Sequence, residues 1–151
     1  MNFQPHVTVA ALIKSNGRYL IVEEMQHDRK VYNQPAGHVE AGETLLAACA
    51  REAFEETRWH VRPTHLVGVY VYTAPNGLTY YRFGYAADVV REDTAAELDT
   101  DIIGVHRLTL EEIRALHHRG ELRSPLVLKM IEDSLAGQAY PLALIDEGFN
   151  G

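Results

Sequence analysis

The sequence predicts the α/β class, with a mixed β-sheet covered by helices. Three observations lead there. Apolar, β-branched runs of strand length recur along the chain with turn signals between them; one long segment free of Gly and Pro carries a helical apolar stripe; and two further helical segments follow the last strand.

His6-Val7-Thr8-Val9-Ala10-Ala11-Leu12-Ile13 and Arg18-Tyr19-Leu20-Ile21-Val22-Glu23-Glu24 flank Asn16-Gly17, which reads as a β-hairpin. Met25 to Tyr32 is polar and mixed in charge, and is expected to be an exposed loop. A short strand ending at Gly37 follows through Asn33-Gln34-Pro35-Ala36-Gly37. Thr44 is placed to cap a helix from Leu45 to Thr57. Its residues Leu45, Leu46, Cys49, Ala50, Ala53 and Phe54 make a stripe wide enough to dock on a sheet. Leu66 to Tyr72 and Tyr80 to Val90, on either side of Ala74-Pro75-Asn76-Gly77, predict a second hairpin. Tyr70, Tyr72, Tyr81 and Phe83 alternate along it and could offer one aromatic face to a ring. Ile102 to Val105 adds a strand. Thr109 and Glu112 have capping-box spacing at the start of a helix, and Leu126 to Leu135 forms the last one.

Glu52, Glu55 and Glu56 lie on the helix from Leu45 within an arc of roughly 100° at helical periodicity. Like charges at i,i+3 and i,i+4 each destabilise a helix by about 0.2–0.5 kcal/mol, a term that a shared divalent cation would reverse. Taken alone, such a triplet is more often a solvated face. The surrounding residues change the reading. Gly37, Glu43, Arg51, Glu52, Glu55 and Glu56 stand in the pattern Gly-x5-Glu-x7-Arg-Glu-x-x-Glu-Glu, which resembles the signature box of the Nudix hydrolases.

That resemblance implies an α/β/α sandwich in which the box forms a strand, a loop and a helix. It also implies Glu52, Glu55 and Glu56 as ligands of Mg2+, for which Mn2+ can substitute, with Gly37 giving close backbone approach to the metal. Magnesium prefers a few carboxylates together with the substrate's own phosphates, and the helical geometry is compatible with that. Glu43 and Arg51, of opposite charge across a loop–helix junction, are read as a supporting salt bridge. The implied reaction is attack of a metal-activated water on a phosphoanhydride, the proton passing to Glu56 or to an acid among Glu97, Asp99 and Asp101. The family pattern has glycine at the position of Arg58, where a left-handed residue ends the helix. An arginine there predicts a slightly extended or differently capped helix.

Further segments resemble a small bacterial phosphatase branch of the family: His6 to Ala10, Val22-Glu23-Glu24, Asn33 to His38, Leu122-Arg123-Ser124-Pro125-Leu126-Val127 and Tyr140-Pro141-Leu142. This likeness implies hydrolysis of nucleoside tri- and diphosphates and of hydroxymethylpyrimidine or thiamine pyrophosphate. His38 and Arg123 are the candidate phosphate contacts. The alternatives are a sanitising nucleoside triphosphate pyrophosphohydrolase, a nucleotide-sugar pyrophosphatase, or a Nudix domain that regulates by binding a ligand.

Composition is consistent with this and excludes other classes. With 151 residues, 46% hydrophobic and 23% charged, the chain suits one globular domain spanning residues 1–151. Fourteen Lys and Arg against twenty-one Asp and Glu give a net charge of -7. Such a field repels polyanions, so the expected partner is a small phosphorylated substrate and not nucleic acid. Cys49, the single cysteine, reads as a packed residue. No apolar run approaches the ~20 residues of a membrane span, and the expected location is cytoplasmic. Monomer and homodimer are both open.

Overall fold

The computed structural model describes residues 2–149. β1 (His6–Ser15) and β2 (Arg18–Gln26) form the first hairpin. Asn16 and Gly17, at φ 52° and 74°, are the two left-handed residues of its turn. The polar stretch after it is not the expected loop. β2 runs on to Gln26 and pairs with β3 (Arg29–Asn33) from Gln26↔Arg29 to Val22↔Asn33. His27 and Asp28 turn the chain at φ 50° and 63° without a glycine, which hides the hairpin from a search for Asn-Gly. Its polarity reflects an edge strand: Arg29 and Lys30 are exposed while Val31 and Asn33 are buried.

β4 (Ala36–His38) leads to α1 (Leu45–Thr57). β5 (Trp59–Thr73) and β6 (Thr79–Glu92) make a long hairpin, and β7 (Ile102–Leu108) precedes α2 (Leu110–His118) and α3 (Leu126–Leu135). The capping box at Thr109 and Glu112 is formed on both sides. The strand order is β3-β2-β1-β6-β5, with β4 on β1 and β7 on β2. β1 and β6 run parallel and the other pairs antiparallel, so the sheet is mixed. β1 meets β2 at Lys14↔Tyr19 and Ser15↔Arg18, beside the turn, and then leaves it to pair with β4 and β6.

β1 shows why helices must cover both faces. Its residues 9 to 13 are all buried, and the two sets of alternate side chains enter different cores. Val9, Ala11 and Ile13 pack with Ala48, Cys49 and Ala53 of α1; Ala10 and Leu12 pack with Ile113 of α2 and Leu128, Met130 and Ile131 of α3. This is an α/β/α sandwich. Cys49 is buried as expected, and burial pushes its thiol up to about 12. Among the described residues no helix is long and apolar enough to cross a membrane.

Two expectations are overturned here. Arg58 stands at φ 68°, ψ 10°, and its N–H reaches the Phe54 carbonyl at 2.8 Å. The left-handed cap is therefore kept with an arginine in it, and α1 ends at Thr57 without extension. The immediate start of β5 requires this: Asp93 N–H donates to the Arg58 carbonyl at 2.9 Å, and Trp59 N–H to Thr57 Oγ1 at 3.1 Å. These bonds oppose a steric cost of about 1–2 kcal/mol for a non-glycine residue in that region. The four aromatic residues of the second hairpin do not share a face. Directly paired residues point the same way, and the pairs are Tyr70↔Arg82, Tyr72↔Tyr80, Val71↔Tyr81 and Val69↔Phe83. Tyr70 and Tyr72 thus lie with Arg82 and Tyr80, and Tyr81 and Phe83 lie on the reverse side.

Candidate active site

α1 is held at its N-terminal end by two side chains. Thr44 Oγ1 accepts from Ala47 N–H at 3.1 Å, and Glu147, from the C-terminal segment, accepts from Leu45 N–H at 2.6 Å. That segment is itself anchored by a two-way backbone pairing of Tyr140 with Leu66 of β5, and Leu142 and Ile145 pack on the α1 side of the core.

On the side of α1 toward β4, the Glu52 carboxylate lies so close to Gly37 that a Cβ there would overlap its Cδ and both oxygens. Only glycine permits this approach. Glu56, one turn on, is buried, and its Oε1 accepts from Ala36 N–H at 2.9 Å. One oxygen from each of Glu52, Glu56 and Asp99 lies within 4.8 Å of the others. Asp99 arrives from the loop before β7, where its N–H donates to the Glu55 carbonyl at 3.0 Å.

Burial pushes Glu56 up to about 9, opposed by the Ala36 hydrogen bond and reinforced by Glu24, Glu52 and Asp99. Burial also pushes Glu52 up to about 6 against the pull of Arg51, and raises Asp99, where Glu55 and Asp101 add to the effect. Converging carboxyls that resist ionisation together are a donor set for a hard divalent cation, whose charge would restore the ionised forms.

Arg51 organises the box. Its Nε and Nη2 donate to the two oxygens of Glu43 at 2.6 and 2.9 Å, Nη1 to Glu52 at 2.8 Å, and Nη2 to the His38 carbonyl at 3.1 Å. The forked geometry of guanidinium makes these contacts simultaneous, and Glu43 is held below the usual carboxylate range by Arg51. Glu55 lies on the outer side, 3.3 Å from Arg51 Nη1, and does not join the group of three. Of the loop acids, Asp101 lines the same cleft; Glu97 is exposed and lies outside it.

A cleft of about 890 Å³ is lined by Gly37, Glu52, Glu56, Tyr72, Tyr80 and, at the start of α3, Arg123, Ser124 and Pro125. His38 and Arg123 both line it. His38 is paired with His6 at 3.0 Å and lies near Tyr80; burial, then His6 and Arg123, lowers its pKa. Arg123 donates to the buried Glu24 at 2.6 Å. Arg82, missed by the sequence reading, is 5% exposed and also lines the cleft. Its signal was present as a lone charge within the aromatic run Tyr80-Tyr81-Arg82-Phe83. Burial lowers its pKa to about 10, which leaves it charged at neutral pH.

Comparison with known proteins identifies the family. The NUDIX domain model matches residues 2–129. The chain is 39% identical over 145 residues to the protein named Phosphatase NudJ of Escherichia coli (strain K12), covering 96% of this chain and 93% of that one. A Nudix hydrolase from Nitrosomonas europaea has 42% identity and a TM-score of 0.92, covering 96% of this chain and 98% of that one. The MutT protein of Methanosarcina mazei Go1, 19% identical with a TM-score of 0.73, shares the fold over 91% of this chain and 99% of its own. The chain belongs to the Nudix family, as a phosphohydrolase acting on phosphoanhydride bonds of small phosphorylated substrates.

Proposed function

We propose that this enzyme hydrolyses nucleoside tri- and diphosphates and the pyrophosphates of hydroxymethylpyrimidine and thiamine, in the presence of Mg2+. The observation that carries the reading is the convergence of Glu52, Glu56 and Asp99 beside Gly37, at one end of a cleft with aromatic side chains along its wall. A bound divalent cation would lower the pKa of the attacking water and neutralise charge on the leaving phosphate.

The chain's own residues supply the remainder. Glu52 and Glu56 would hold the cation, with Glu55 adding negative charge beside them. Arg51 fixes the Glu52 rotamer and locks the loop through Glu43. Asp99, whose carboxylate stands beside those of Glu52 and Glu56 and comes from a separate loop, would accept the proton of the attacking water. Tyr72 and Tyr80 have the size and polarity to pack a pyrimidine or purine ring. The likeness to Phosphatase NudJ favours release of inorganic phosphate.

A panel of nucleoside and thiamine-type diphosphates assayed with Mg2+, with phosphate and pyrophosphate measured separately, tests the proposal. Phosphate release from these substrates is expected. Turnover confined to nucleotide sugars, or pyrophosphate as the sole inorganic product, would overturn it.

A further inference from the structure

The cleft carries cations as well as carboxylates: Arg82, Arg123 and the first residues of α3 line it together with Glu24, Glu52 and Glu56. Arg123 pairs directly with Glu24, whereas Arg82 is favoured by Glu24 and Glu56 only at longer range, without direct contact. Its Nη2 donates to two neutral amides, Gln34 Oε1 at 2.6 Å and Asn33 Oδ1 at 3.4 Å. Its Nε is buried without a partner, and it makes no ion pair with a carboxylate among the described residues.

A buried guanidinium held by neutral groups is expensive unless an anion completes it. The architecture around Arg82 fixes it in place: Gln34, itself fully buried, donates its Nε2 to the Val127 carbonyl of α3 at 2.7 Å. Tyr70, paired opposite Arg82, donates its hydroxyl to Asp133 at 2.8 Å and is thereby held on the α3 side of the sheet. The α3 N-terminus in the same cleft has no acidic residue in its first turn, so its dipole adds positive potential there.

We propose that Arg82 is a substrate-binding residue that donates directly to a non-bridging phosphoryl oxygen of the substrate. The phosphoryl group would thereby become the directly contacting anion that buried Arg82 otherwise lacks. The substrate diphosphate is then clamped between a cation on the α1 side and a fixed guanidinium on the β6 side. This inference rests on the phosphohydrolase reading above.

The test uses Arg82→Lys and Asn33→Asp. Lysine loses the forked donor, and aspartate gives Arg82 an internal carboxylate that competes with phosphate at nearly constant volume. Methylenediphosphonate, a non-hydrolysable diphosphate, is the probe, with its affinity measured by calorimetry in Mg2+. Mn2+ affinity without diphosphate is read by electron paramagnetic resonance, and folding by thermal melting. Both variants are expected to bind the diphosphonate at least tenfold more weakly, with Mn2+ affinity within twofold of the native enzyme.

Diphosphonate affinity within twofold of native in a folded variant would overturn the proposal, as would a parallel loss of Mn2+ affinity. If Arg82→Lys does not fold, Asn33→Asp decides alone. Failure of the native enzyme to hydrolyse any of the diphosphate panel would count against the substrate reading. The diphosphonate measurement judges Arg82 separately from that result.

Discussion

Gly37→Ala isolates the tightest contact in the site. Gly37 does not adopt a left-handed φ, so alanine fits the backbone and the whole penalty falls on the added methyl group. That methyl would overlap the Glu52 carboxylate, while non-bonded carbon atoms settle at about 3.5–4 Å, so the carboxylate must retreat by roughly 1 Å. The retreat is resisted, because Glu52 is held at 2.8 Å by Arg51, itself locked to Glu43. A misplacement of about 1 Å costs on the order of 100-fold in rate, and overpacking of this kind costs about 1–3 kcal/mol of stability. Steady-state kinetics with Mg2+ should show kcat/KM falling about 100-fold. In a Glu52→Asp background, where the carboxylate is already withdrawn by one methylene, the same substitution should cost much less. A Gly37→Ala enzyme within threefold of native kcat/KM, or equal losses in both backgrounds, would refute the reasoning.

Glu56→Gln should abolish turnover and Mn2+ binding, and should also change the pH dependence of the metal-free protein. The folded-state pKa of Glu56 is raised to about 9, so its stabilising contribution is complete below the ordinary glutamate pKa and is lost as pH rises toward 9. Urea unfolding in EDTA between pH 5 and 9 should therefore show native stability falling by up to about 1.4 kcal/mol per pH unit and a flatter curve for the variant; identical curves would contradict the assignment. Arg58→Gly should stabilise the protein by about 1 kcal/mol in urea, since it relieves a left-handed arginine whose Nε is also buried without a partner; net destabilisation would show that the side chain outweighs the strain. Glu147→Ala removes the carboxylate at the start of α1 and should cost about 1 kcal/mol, measured by the shift in urea midpoint; no shift would mean that solvent satisfies Leu45 equally well.

Much of the molecule is legible where a local rule acts without competition. α1 begins after Thr44 as its cap predicts, and α3 spans the same residues as its apolar stripe. The stretch from Met25 to Tyr32 reads as a loop because His27 and Asp28 adopt φ > 0 on the strength of flanking strand pairing, which overrides their ordinary preference. Arg58 failed for a similar reason, since hydrogen bonds from residues 59 and 93 hold it in a conformation that its side chain disfavours. The aromatic face failed because strand alternation was counted along each strand while the register between them, set by the hairpin, was unknown.

The sequence by itself determined that this is a Nudix fold with an acidic helix, because the box pattern and helical periodicity are properties of residues near one another in the chain. It also paired Glu43 with Arg51, whose charges face each other across one loop. Only the tertiary structure decided that Asp99 joins Glu52 and Glu56, and that Arg82 lies in the same cleft with no carboxylate ion pair among the described residues. Those relations connect residues far apart in the chain, and they follow from how the loop before β7 and the β5–β6 register close onto α1. Local pattern carries no information about that closure, since it is fixed by packing both cores against the two sides of β1.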